Sequence, residues 1–162
     1  MSEYHLFTTW DVEAPLDSIW AMVSDPFSYP SWWKYVEKVT EIEPRQPDGS
    51  GGALQILWKT ALPYSLAVEM RGSRFEPPHV WEGSAQGELE GVGRWELREM
   101  EGFTRVTYDW RISPTKPWMK LMSPLARPAF IWNHDTLMKE GGRALASHLG
   151  AKLLAYKTDT LN

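Results

Sequence analysis

The sequence predicts an α+β domain in which a curved, seven-stranded antiparallel sheet wraps around a long C-terminal helix, with two short helices after strand 1. Three observations support this prediction. Apolar and polar residues alternate in seven segments between residues 4 and 113, the period expected of half-buried strands. Short separators rich in glycine, proline and acidic residues divide the later segments. A proline-free stretch from residue 129 to about 154 has helical apolar spacing.

The first segment and the two short helices lie within the first 33 residues. Residues 4–13 alternate, with Trp10 and Val12 on the apolar face, which predicts strand 1. Pro15 suits the first turn of a helix, and the apolar residues that follow recur at i, i+3, i+4 and i+7. Asp25-Pro26 ends this helix. A second short helix is predicted over residues 29–33.

The remaining strands are predicted from alternation and turn residues, and one hairpin can be checked by its register. A two-residue turn at Glu101-Gly102 places Trp95 opposite Tyr108 and Leu97 opposite Val106 on one face. The other face pairs Arg94 with Asp109, so both faces are chemically reasonable. The six predicted strands cover residues 36–43, 53–60, 64–76, 79–87, 91–100 and 103–113.

The last third of the chain changes character at Pro114. Prolines at positions 114, 117, 124 and 128 predict a broken helical stretch before the long helix begins at Ala129. Gly141-Gly142 in that helix costs roughly 1 kcal/mol per glycine relative to alanine, which predicts close approach of another backbone or room for another group. The polar end is predicted to be frayed, giving one domain over residues 1–157 and a tail over 158–162.

The composition excludes several classes of protein. The formal net charge is −4, whereas a general nucleic-acid partner calls for a basic face. There is no cysteine, which excludes disulfides, thiol nucleophiles and cysteine metal sites. No secretory signal and no transmembrane stretch are recognised, so we expect a cytoplasmic protein without stable membrane insertion. The oligomeric state is not determined.

Four strings carry a resemblance to a known superfamily. Residues 12–20 (VEAPLDSIW) and 25–33 (DPFSYPSWW) resemble signatures that are widespread in the START-like superfamily, also called SRPBCC. Residues 87–95 and 132–138 resemble one bacterial subgroup of it. This superfamily includes polyketide cyclases/dehydrases and Bet v 1-type allergens, and the resemblance spans nearly the whole chain. It implies a helix-grip fold with a deep cavity between sheet and helix, but carriers, enzymes and protein-binding modules share that fold.

Tryptophan is the most informative residue type, with ten copies in 162 residues. Four of them fall one per predicted strand, which indicates either a filled core or an aromatic-walled cavity. Asn133 and His134 flank the apolar stripe of the long helix, where they either bind a ligand or are satisfied core polar groups. The residues predicted to bind a ligand are Trp33, Trp58, Met70, Trp81, Trp95, Tyr108, Trp110, Phe130, Asn133, His134, Leu137 and Met138.

Three further groups of residues leave alternatives open. Trp32-Trp33 could border the cavity mouth or form an exposed contact surface. Trp118, Met119 and Met122 could form an adaptable lid or pack an irregular segment. An inward arginine at position 71 or 74 could bind a carboxylate, although the solvated-face interpretation is favoured for both arginines and for Glu82. The four histidines have no mutual ligand spacing, so neither a metal nor a cofactor is predicted.

These observations lead to three functional hypotheses. The first is binding of one hydrophobic or aromatic small molecule, lipid- or polyketide-like, in the internal cavity. The second is an enzyme of the cyclase, aromatase or dehydratase type that uses His134 as general acid and base. The third is an adaptor that binds a protein through Trp32-Trp33. The first is preferred, because the sequence offers only one plausible catalytic group.

Overall fold

A computed structural model describes residues 3–161; of residues 118, 119 and 121–123 only the backbone is described. The chain alternates between sheet and helix in the order that the sequence predicts, and adds one strand at its end. Its elements are β1 (Tyr4–Val12), α1 (Leu16–Val23), a 3₁₀ turn (Pro26–Ser28), α2 (Tyr29–Trp32), β2 (Val36–Glu43), β3 (Ala53–Lys59), β4 (Ser65–Glu76), β5 (Val80–Gly87), β6 (Leu89–Glu99), β7 (Thr104–Pro114), α3 (Pro117–His148) and β8 (Leu153–Leu161).

The strands form one antiparallel sheet in the order β2-β3-β4-β5-β6-β7-β1-β8. In the β6–β7 hairpin Trp95 faces Tyr108 and Leu97 faces Val106, the register predicted from the Glu101-Gly102 turn. Burial alternates residue by residue along β1, as expected of a strand with one face on the core. The α+β class and the helix-grip arrangement are therefore confirmed, with eight strands in place of seven.

The additional strand corrects the prediction of a frayed tail. β8 pairs antiparallel with β1, placing Tyr156 opposite Trp10 and Thr158 opposite Thr8, and it extends the sheet beyond the predicted domain end at residue 157. Gly150, with φ of +64°, reverses the chain after α3. Most of β8 is exposed, so its apolar pattern is weak. The strand is instead held by hydrogen bonds to backbone groups along the otherwise free edge of β1. Hydrophobic periodicity does not reveal backbone pairing of this kind.

The long helix corrects a second prediction. α3 runs without interruption from Pro117 to His148 and contains Pro124 and Pro128, although these prolines were expected to break it. Pro117 occupies the first turn, where its missing N–H costs nothing. Pro124 and Pro128 are both exposed, so carbonyl groups that lose an intrahelical donor can be hydrated.

The paired glycines of α3 are explained by two indole rings. A β-carbon on Gly141 would lie 2.5 Å from ring atoms of Trp33, and one on Gly142 would lie 2.8 Å from the ring of Trp10. The close approach predicted for this position is therefore made by side chains and not by a backbone. Because the glycines have no side chains, α3 lies directly against the indoles of Trp33, just after α2, and of Trp10 on β1.

Candidate functional site

A cavity lies between α3 and the concave face of the sheet, and we call it the helix cavity. It contains about 670 Å³ of space free of protein atoms, part of it open to solvent. Strands β3, β4 and β7 supply its floor and α3 its roof. Nine of the predicted ligand-binding residues line it: Trp58, Met70, Tyr108, Trp110, Phe130, Asn133, His134, Leu137 and Met138.

A second cavity, the strand cavity, lies under the 3₁₀ turn and α2 and has about 620 Å³ of space free of protein atoms, part of it open to solvent. Trp81 and Trp95 line this cavity and not the helix cavity. The two cavities share Ile56, Met70 and Tyr108 as lining residues. The aromatic wall predicted from one tryptophan per strand is thus divided between two adjoining spaces.

Trp33 lines neither cavity. Its side chain is only 1% exposed, and its indole N–H donates a hydrogen bond to the carbonyl oxygen of Leu137 over 3.0 Å. Trp32 stacks on Trp33 with 5.5 Å between ring centroids, and its own N–H donates to the hydroxyl of Ser28. Of the two alternatives left open for Trp32-Trp33, the exposed contact surface does not hold for Trp33, because the long helix and neighbouring indoles bury it.

Sequence reasoning missed a row of glycines that makes room for the strand cavity. Gly72 faces Gly83 across β4–β5, and Gly83 faces Gly93 across β5–β6. A β-carbon on Gly93 would lie 2.4 Å from the hydroxyl oxygen of Tyr108 and 2.7 Å from the ring of Trp110. The missing side chains leave space that the aromatic rings and the cavity use. One glycine in each of three successive strands was the available signal.

Other missed lining residues follow the ordinary strand period. Leu66 and Val68 alternate with Met70 along β4 and face the helix cavity with it. Period-two spacing back from Met70 would have identified both. Ile56, Thr60 and Leu89 also line this cavity.

Asn133 and His134 play different roles although they are adjacent on α3. The backbone N–H of Ala61 donates to Asn133 Oδ1 over 2.8 Å, so this amide fixes the loop after β3. His134 Nδ1 lies 3.3 Å from Asp135 Oδ1. His134 Nε2 is enclosed and has no hydrogen-bond partner among the described residues. His134 therefore lines the helix cavity with one imidazole nitrogen that has no protein partner among the described residues.

Tyr108 stands at the boundary of the two cavities. Its ring lies 4.4 Å from Trp95 and 5.6 Å from Trp110, measured between centroids. Burial, with a smaller contribution from the charge of Asp109, raises the pKa of Tyr108 well above its usual range. The phenol thus remains protonated at neutral pH and can donate a hydrogen bond.

Arg45 is a charged residue of the strand cavity that sequence reasoning did not identify. Its guanidinium carbon lies 4.6 Å from the centroid of the Trp81 ring, a cation–π distance. Its Nη2 atom is enclosed without a hydrogen-bond partner among the described residues. Arg45 precedes the turn-rich segment 46–52, where no periodicity indicates which way a side chain points.

The arginines that the sequence did single out are paired with acids. Arg71 donates to Glu43 over 2.7 Å at the rim of the strand cavity. Arg74 pairs with Glu76, and Glu82 accepts from Arg94 over 2.6 Å. Arg74, whose side chain is 46% exposed, agrees with the solvated-face interpretation, whereas the Glu82 side chain is only 19% exposed. Arg71 lines a cavity but already has an anionic partner.

The described residues give no metal cluster and no membrane span. Within residues 3–161, no three histidine, aspartate or glutamate side chains are grouped as metal ligands. None of the described helices is long and apolar enough to cross a membrane. The predicted lid residues Trp118, Met119 and Met122 have side chains that lie outside the described part of the structure.

Comparison with solved structures gives the same fold at low sequence identity. The aromatase/cyclase Zhui from Streptomyces sp. R1128 matches with a TM-score of 0.72 and 17% identity, covering 90% of this chain and 93% of that one. TTHA0849 from Thermus thermophilus matches with a TM-score of 0.71 and 14% identity, covering 89% and 98%. A START superfamily protein from Mycobacterium smegmatis matches with a TM-score of 0.66 and 15% identity, covering 91% and 97%.

Sequence comparison assigns the family. No curated protein sequence is a significant match to the chain. The family model described as polyketide cyclase / dehydrase and lipid transport, however, matches residues 5–150, which is most of the chain and includes every predicted site residue. The chain therefore belongs to the polyketide cyclase/dehydrase and lipid transport family.

Proposed function

We propose that this protein binds one hydrophobic or aromatic small molecule, lipid- or polyketide-like, in the helix cavity. The observation that carries the proposal is the composition of the cavity wall. Aromatic and aliphatic side chains form most of it, while His134 contributes an enclosed nitrogen without a partner among the described residues. A mostly apolar concavity with a few polar groups is the usual form of a small-molecule site.

The aromatic residues favour a ligand with flat or extended apolar parts. Trp110 and Tyr108 lie stacked, with an interplanar angle of 29°, and Trp58 lies across the cavity floor on β3. Rings in such orientations offer their faces and edges to an aromatic guest. Met70 and Met138 add flexible side chains that can adapt to its outline.

The polar groups would orient the ligand. His134 Nε2 and the hydroxyl of Tyr108 can each hydrogen-bond a carbonyl or hydroxyl of the guest. The oxygen of Asn133 already accepts from Ala61, so we assign this residue to shaping the cavity. Its hydrogen bond to Ala61 would fix this part of α3 relative to the loop after β3, and with it the position of the adjacent His134.

A cyclase- or dehydrase-type enzyme is the second candidate, and one contact favours it. Asp135 Oδ1 lies 3.3 Å from His134 Nδ1, so it can orient the imidazole and leave Nε2 toward the cavity wall. A positioned imidazole can transfer a proton to or from a bound poly-β-ketone chain. Binding without turnover remains the preferred function, because such chemistry would depend on a single proton shuttle.

Native mass spectrometry of the freshly purified protein tests the binding proposal. We expect a mass increment from a co-purifying hydrophobic molecule. The Val68→Phe variant, which fills the cavity floor, should lose it. Val92→Phe is the matched control, because Val92 is 40% exposed and lines neither cavity.

Two results would contradict the proposal. One is a protein without any bound molecule whose indole fluorescence is unaffected by a panel of hydrophobic compounds. The other is equal retention of the ligand by both valine variants while circular dichroism shows that both are folded. The predicted cytoplasmic location and the absence of a nucleic-acid partner stay predictions.

A further inference from the structure

We propose that the strand cavity binds the acidic group of the ligand at Arg45, so that the ligand is an apolar or aromatic carboxylic acid. This inference rests on the proposed function and narrows the class of ligand. It assigns the two cavities to two parts of one molecule, with the carboxylate in the strand cavity and the apolar body in the helix cavity.

The first argument is the position of the Arg45 side chain. Its guanidinium lies over the ring of Trp81 at 4.6 Å, and the β-carbon position of Gly52 is 3.0 Å from its Cγ. The indole on one side and the glycine backbone near the stem restrict where the guanidinium can go. An arginine held in this way presents its planar set of N–H donors in a limited range of directions.

The second argument is that the Arg45 guanidinium has no carboxylate partner in direct contact, although the Trp81 ring lies beside it. No described carboxylate forms an ion pair with Arg45, and Nη2 is enclosed without an acceptor. Burial is the main cause that lowers the pKa of Arg45. A partly buried cation without an anion is costly, and a ligand carboxylate would supply two acceptor oxygens in the geometry that a guanidinium prefers.

The acidic residues nearby do not fill this role. Glu43 lines the cavity but accepts from Arg71 over 2.7 Å. Glu41 lines it too and is exposed. The charge of Asp25 acts on Arg45, yet no ion pair within 4.0 Å joins them in the described part of the chain. Arg45 is thus the cation of this cavity that remains available.

The third argument is continuity between the two cavities. Ile56, Met70 and Tyr108 line both, so the two spaces adjoin at these side chains. Met70 is unbranched and can change rotamer at low cost. An elongated molecule could therefore extend from Arg45 past Met70 to the aromatic residues below α3.

A matched pair of probes tests this inference. The probes are 6-(2-naphthyl)hexanoic acid and its primary amide, which have the same apolar body and differ in charge at pH 7.5. Isothermal titration calorimetry would measure both affinities for the wild type, for Arg45→Gln and for Arg74→Gln. Arg74 is the matched control, since it is an arginine on β4 that lines neither cavity and is paired with Glu76.

We expect the wild type and Arg74→Gln to bind the acid about ten-fold or more tightly than the amide, the size of one hydrogen bond to a charged group. In Arg45→Gln this preference should disappear while the amide affinity is unchanged, which also shows that the variant is folded. Equal affinities in the wild type would overturn the inference and leave the proposed function standing. A preference that survives in Arg45→Gln would overturn the assignment to Arg45. No binding of either probe would contradict the proposed function and, with it, this inference.

Discussion

The indole of Trp33 occupies the space that a side chain at position 141 would need. Its ring atoms lie 2.5 Å from the β-carbon position of Gly141, and its N–H donates to the carbonyl of Leu137 one turn earlier on α3. This contact joins the residue that follows α2 to the roof of the helix cavity. The position of α3 relative to the end of α2 therefore depends on a glycine and a tryptophan that are more than a hundred residues apart.

Replacing Gly141 by alanine should destabilise the protein although alanine is the better helix former. The alanine gains about 1 kcal/mol in helix propensity, but overpacking a buried site costs typically about 1–3 kcal/mol. We expect a net loss in the free energy of unfolding, measured by urea denaturation. Ser147→Ala is the control, because Ser147 is exposed on the same helix. An alanine at 141 that stabilises the protein as much as the control would show that Trp33 can move without cost.

Tyr108 should make the protein less stable at alkaline pH. Burial raises its pKa above that of an unfolded tyrosine, so above about pH 10 the unfolded chain loses this proton before the folded one. The folded state then holds more protons, and the free energy of unfolding falls as the pH rises. Urea denaturation between pH 8 and pH 11 should give a shallower decline for Tyr108→Phe than for the wild type.

The matched control for this pH dependence is Tyr156→Phe, because Tyr156 is 40% exposed. Its decline should follow that of the wild type. Identical slopes for Tyr108→Phe and the wild type would mean that the phenol of Tyr108 is not buried in the folded protein.

Removal of residues 158–162 should destabilise the protein measurably. The truncation deletes the pairing of Thr158, Asp159, Thr160 and Leu161 with β1, and each lost hydrogen bond is worth roughly 0.5–1.5 kcal/mol. We expect a lower unfolding midpoint, and self-association visible by size-exclusion chromatography because half of β1 becomes a free edge. Removal of Asn162 alone serves as the control. An unchanged midpoint after the longer truncation would restore the frayed-tail interpretation.

The His134→Ala variant separates the carrier from the enzyme. For a carrier we expect ligand affinity to fall modestly, by about ten-fold or less, the value of one hydrogen bond to a neutral group. For an enzyme, loss of a general acid–base group would lower turnover by about 10²–10⁴-fold while binding persists. Calorimetry and a product assay by mass spectrometry measure the two effects. Thr136→Ala is a control on the same helix, since its hydroxyl donates only to the carbonyl of Trp132.

Much of the fold could be predicted because its signals are local. The cross-strand pairing of Trp95 with Tyr108 follows from one two-residue turn and from the strict alternation of apolar and polar residues on both strands. The helical spacing after Pro15 likewise needs only neighbouring residues. β8 escaped prediction because its strand pairs through backbone groups with β1, which is remote in sequence. The break expected at Pro124 and Pro128 does not occur. The free energy that a proline costs a helix depends on whether the carbonyl groups that lose a donor are exposed to water.

The sequence by itself determined seven of the eight strands, the helix that covers them and nine of the residues that line the helix cavity, because the spacing of apolar residues shows which face of each element avoids water. Only the tertiary structure decided that Trp33 is buried against Gly141, that the aromatic residues line two cavities, and that Arg45 lies over Trp81. These outcomes depend on which side chains from distant parts of the sequence come into contact and on how much cavity volume remains between them. Close packing between remote segments fixes that volume, and no local pattern encodes it.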